Sequence, residues 1–151
     1  MEKKVAVLLG SKSDMDYIEG AKELLEKFEI PYEVLVMSAH RTLDKVMEFS
    51  ENAEESGFGV IIACAGMAAH LPGVLAAKTT LPVIGVPLPT SEIKGIDALL
   101  AIVQMPSGVP VATMAIGKAG VKNAAILSAE ILALSDKNLK DRLKAYKESL
   151  I

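Results

Sequence analysis

Short apolar, β-branched runs alternate along this chain with segments whose apolar residues recur every three or four positions, and that alternation leaves few folds open. Residues 5–9 form such a run, closed by Gly10, after which Ile18, Ala21, Leu24, Leu25 and Phe28 mark one face of a charged helix. Ile30-Pro31 breaks that helix, residues 32–37 read as a second strand, and Leu43, Val46, Met47 and Ala53 place a second helical stripe ending near Gly57. The pattern then continues with strands at 60–65, 83–86 and 111–115 and helices at about 71–77 and 96–103. Strands separated by helices predict a parallel, three-layer α/β sheet in a single domain. Two helices close the chain: 121–134, apolar on nearly every side, and 136–150, with a stripe of Leu139, Leu143, Tyr146 and Leu150.

Residues 56–77 carry no formal charge, which raises the question of a membrane span. Gly57, Gly59, Gly66, Pro72 and Gly73 punctuate the stretch and His70 sits inside it, so it reads as strand, loop, helix. A buried parallel strand is a continuous apolar run for a physical reason: helices cover both of its faces. Residues 5–9 are too short an apolar run for a signal peptide, and the one cysteine, Cys64, excludes an intrachain disulfide and suits a reducing compartment, so a cytoplasmic protein is expected. A net charge of −3 creates no field that attracts nucleic acid or an anionic membrane. The chain holds only two histidines, and no His, Cys, Asp or Glu pair stands at ligand spacing, so no metal is expected. A mean hydropathy of +0.37 in so small a domain predicts that apolar surface is buried between subunits.

In an open parallel sheet, ligands collect outside the carboxyl ends of the strands, so the residues after each run are the candidates. Gly10-Ser11-Lys12-Ser13-Asp14 is a small-residue turn entering a helix, suited to a phosphate; equally, Ser13 or Asp14 caps that helix. Ser38-Ala39-His40-Arg41-Thr42 sets an imidazole, a guanidinium and two hydroxyls at the neighbouring rim, a combination able to move a proton and hold an anion. Residues 64–73 supply small side chains that let backbone approach a ligand; His70 there either binds ligand or caps the next helix, and Cys64 is a nucleophile or a small core residue. The turn-rich stretches 85–91 and 104–110 either close over a pocket or act as rigid connectors.

The segments 10–14, 38–42, 68–73, 82–87, 102–106 and Ala119-Gly120 with Asn123-Ala124 resemble, in order and across nearly the whole chain, the PurE family of N5-carboxyaminoimidazole ribonucleotide mutases. The resemblance implies a flavodoxin-like subunit in a homo-octamer that acts on a small ribonucleotide and CO2 in IMP synthesis, with no cofactor. It implies Ser11, Asp14 and Arg41 as substrate-binding residues, Ser13 and Ser38 near the nucleotide, and His40 as the catalytic imidazole. It further implies that Ala65, Gly66, Ala68, His70 and Leu71 line the base pocket. Three positions depart from the pattern: Leu43 where proline is common, and Met67 and Cys64 where glycine is common. A branch of the family carboxylates aminoimidazole ribonucleotide directly, with lysine after the motif histidine; Arg41 points to the mutase branch. The fold by itself also accommodates a non-catalytic nucleotide-binding module.

Overall fold

Residues 2–151 are described by a computed structural model, in which five parallel strands stand side by side in the order β2-β1-β3-β4-β5. The strands are β1 (Lys4–Leu9), β2 (Tyr32–Val36), β3 (Phe58–Gly66), β4 (Val83–Leu88) and β5 (Ala112–Thr113). Between and after them run α1 (Glu19–Lys27), α2 (Leu43–Asn52), α3 (Leu71–Lys78), α4 (Ile96–Val103), α5 (Lys118–Leu132) and α6 (Lys137–Glu148). This is the flavodoxin-like α/β architecture in a single domain. The uncharged stretch 56–77 supplies β3 and α3, and among the described residues no helix is long and apolar enough to cross a membrane.

The period-2 geometry of β1 shows how the layers form. Val5, Val7 and Leu9 join the core under α1, α5 and α6, while Ala6 and Leu8 join the core under α2, α3 and α4. Both faces are therefore dry, which is why the strands carry no polar alternation. β3, the middle strand, is buried from Val60 to Ala65 without interruption. Close approach is bought by small residues at two points. Gly85 leaves room on β4 for Ile102 and Val111, and Gly120 lets the start of α5 lie against the Ala115 carbonyl, where a Cβ would collide.

The elements differ from the sequence pattern mainly at their ends. Residues 12–17 form a 3-10 turn ahead of α1, because the Ser11 hydroxyl accepts from the Ser13 amide at 3.3 Å and starts a tight turn there. β5 shrinks to two residues, since it is an edge strand with β4 as its one partner and follows Pro110. Pro87 is tolerated inside β4 because the β5 ladder reaches only Ile84 and Gly85, so no ladder bond needs its missing N–H, while its carbonyl accepts from the Gly117 amide at 2.9 Å. The chain's last turns are a 3-10 segment at Ala133–Ser135 and then α6, whose N-cap Asp136 accepts from the Leu139 amide at 3.1 Å.

Candidate active site

β1 and β3 are neighbours, yet the chain leaves β1 toward β2 on one side and leaves β3 toward β4 on the other. Strand order reverses there, and the diverging loops open a crevice above the carboxyl ends. The register brings the ends level, with Leu9 opposite Val36 and Cys64, and Gly66 opposite Leu88. A cleft of about 540 Å³ lies over them, within the size range of small-molecule sites. Ser11, Ser13, Asp14, Ser38, His40, Arg41, Ala65, Gly66, Ala68, His70 and Leu71 all line it. These eleven residues, which come from three stretches of chain around the ends of β1, β2 and β3, are thus brought to one place.

The first loop is stiffened from within: Ser11 and Ser13 hydroxyls stand 2.9 Å apart, and the Asp14 amide donates to the Ser11 carbonyl at 3.1 Å. Ser11, not Ser13 or Asp14, does the capping. Asp14 is only 6% exposed, and burial pushes its carboxyl above the ordinary 3.8, with a backbone hydrogen bond at Ser11 pulling the other way. At Gly10 a Cβ would meet nothing within 4 Å, so the backbone there faces open cleft.

The second loop folds on two side chains. The Ser38 amide donates to Thr42 Oγ1 at 2.8 Å and that hydroxyl donates back to the Ser38 carbonyl at 3.1 Å. Ser38 Oγ accepts from the His40 and Arg41 amides at 3.3 and 3.2 Å. These bonds fix the backbone that carries His40 and Arg41 while leaving both side chains exposed. Among the described residues no carboxylate pairs with Arg41, so its guanidinium is free for an anion.

The third loop brings His70 to His40. His40 Nε2 and His70 Nδ1 lie 2.8 Å apart, with the rings edge to face at 83°. One ring donates and the other accepts, so the pair shares a single proton across the contact. His70 occupies the N-cap position of α3 but makes no capping bond with its side chain, so its polar contact is the imidazole across the cleft.

A family model described as AIR carboxylase matches residues 4–151. The chain belongs to that family. A protein of Escherichia coli (strain K12) named N5-carboxyaminoimidazole ribonucleotide mutase is 53% identical over 146 residues, 97% of this chain and 86% of that one. A protein of the same name from Saccharolobus solfataricus is 54% identical over 147 residues, 97% of this chain and 92% of that one. The crystal structure of Treponema denticola PurE superposes with a TM-score of 0.88 at 32% identity, covering 98% of this chain and 91% of that one.

In this AIR carboxylase family chain, Cys64 ends as a core residue: it is fully buried, and burial, with the negative charge of Asp14 adding, pushes its thiol up to about 12. A thiol held neutral in that way is no nucleophile. The 104–110 loop contributes nothing to the cleft wall, whereas Thr90, from the 85–91 stretch, does. Thr90 is the polar liner that the sequence did not single out. Its signal was the turn chemistry after the fourth strand, which marked a loop without marking the residue. A groove of about 480 Å³ at the opposite end, under α6, offers less chemistry. Its Arg142 is already engaged with the Phe28 carbonyl at 2.8 Å and Glu29 at 3.4 Å.

Proposed function

We propose that this chain is a mutase that converts N5-carboxyaminoimidazole ribonucleotide to 4-carboxyaminoimidazole ribonucleotide in IMP biosynthesis, working in the cytoplasm as a homo-octamer. The observation that carries the reading is the meeting of His40, Arg41 and the 10–14 turn on one cleft, in a chain about half identical to proteins bearing the mutase name. Arg41 and the Ser11 to Asp14 turn hold the phosphate end, so that binding energy spent there positions the ring. Ala65, Gly66, Ala68, His70 and Leu71 form the wall against the base.

The reaction moves a carboxylate from the exocyclic nitrogen to ring C4. Cationic His40 gives its proton to that nitrogen as the C–N bond to the carboxylate breaks, leaving aminoimidazole ribonucleotide, CO2 and neutral His40. The electron-rich ring forms a bond from C4 to the carbon of CO2, and neutral His40 takes the C4 proton to restore aromaticity. The imidazolium is regenerated and no redox partner is needed. His70, in contact with His40, holds the ring's orientation through the shared proton.

The rival reading, direct carboxylation of aminoimidazole ribonucleotide by CO2, takes support from the name of the family model. Arg41, following His40, and the names of the half-identical relatives favour the mutase. Supplying purified protein with each substrate separately decides between them. Rapid conversion of the N5-carboxy compound, with negligible use of aminoimidazole ribonucleotide plus physiological bicarbonate, is the expected outcome; the reverse pattern makes the chain a carboxylase.

A further inference from the structure

Met67 follows the last residue of β3 and stands at φ +54, in the left-handed region. A side chain there is strained relative to glycine. Two other residues with side chains, Glu29 and Lys94, share that conformation, and both are exposed polar residues of the kind surface turns accept. Met67 is different in kind. It is apolar, 60% exposed and part of the cleft wall, so neither core packing nor solvation accounts for it.

Its neighbour, Gly66, has no room for a side chain. Thr90 Oγ1, from the loop after β4, occupies the place where a Cβ on Gly66 would stand, so only glycine fits at 66. Three residues after Met67, the same loop presents His70 to His40 at 2.8 Å. Met67 therefore lies in the chain between a glycine that admits no side chain and the imidazole pair, on the wall of the cleft. An unbranched, polarisable side chain lies well over a flat ring and adapts to its shape.

We propose that Met67 covers the reacting end of the cleft and restrains the CO2 released between the two half-reactions. The inference rests on the mutase reading. In that reaction the intermediate is a small uncharged molecule that no ion pair or strong hydrogen bond retains, and an apolar cover slows its escape relative to its capture by C4. The strain at φ +54 then serves the site and not the fold.

The test is label partition. The N5-carboxy substrate carrying 13C in its carboxylate is turned over in excess unlabelled bicarbonate by wild type, M67G and M67L, and the label in product carboxylate is compared with that lost to solution. M67G, freed of left-handed strain, is expected to melt about 2–4 °C higher while losing at least about threefold more label, which reads as a partition shift of about 0.6 kcal/mol. M67L, which restores apolar bulk at the same backbone angle, is expected to retain label within about twofold of wild type. Wild-type turnover with equal retention in M67G overturns the proposal alone. Wild-type protein that leaves the labelled nucleotide unchanged overturns the mutase reading and the proposal together.

Discussion

Asp14 carries a carboxyl into a position only 6% exposed, and the cost of ionising it there has a sign that can be worked out. Burial raises its folded-state pKa above 3.8, so the folded protein holds the proton more tightly than the unfolded chain does. Stability therefore falls as pH rises from 3.8 through the raised value, above which the whole penalty is present. Asp14→Asn removes the charge and keeps an acceptor, so its melting temperature at pH 7 is expected to exceed that of wild type. The increment should shrink as pH falls toward 3.8, and a D14N protein that melts lower at pH 7 contradicts the account. A destabilising carboxylate at the lip of a cleft fits a residue kept for ligand binding. At this scale the sequence was informative about identity and blind to contact. His40 and His70 stood out as the two histidines, but they lie 30 residues apart and nothing in their spacing announced that their rings meet at 2.8 Å. Met67 likewise departs in the sequence from a position where glycine is common, while its backbone angle is a property of the loop.

Among the elements, α4 leaves the most to explain. Ile96, Leu100 and Val103 recur along one face with Ile93 just ahead of them, and each is between 47% and 57% exposed, while Ala98 and Ile102 face the core. Such a stripe loses free energy in water and gains it against another subunit. Leu100→Glu is expected to leave the fold intact, because the position is at the surface, and to lower the mass seen by light scattering from the roughly eight times 16.0 kDa of the proposed octamer to that of smaller species. Wild-type protein that is already monomeric, or an L100E assembly of unchanged size, would refute the octamer. The helices and the long inner strands were legible because period 3.6 and uninterrupted β-branched runs follow directly from which faces are dry. The 3-10 turn at Lys12–Tyr17 and the two-residue β5 were not. Those depend on a single serine cap and on having one neighbour instead of two, facts that belong to the assembled sheet.

For the molecule as a whole, the order β2-β1-β3-β4-β5 is the organising fact. It makes the β1/β3 boundary the place where loops diverge, and so gathers three loops distant in sequence onto one cleft. Alternation along the chain was enough to predict a parallel sheet and to send attention to the strand ends; the strand order itself, and with it the crevice, came only with the fold. On the proposed mechanism the same arrangement divides the labour: the β1 and β2 loops would hold an anion and a proton carrier, and the β3 loop would close the wall. That division stands or falls with His40. Purified His40→Asn protein, compared with wild type for turnover of the N5-carboxy substrate and for affinity for the product ribonucleotide, puts it to the test. The account predicts turnover lower by about 10²–10⁴-fold or more with affinity changed by less than about tenfold; turnover close to that of wild type would contradict it.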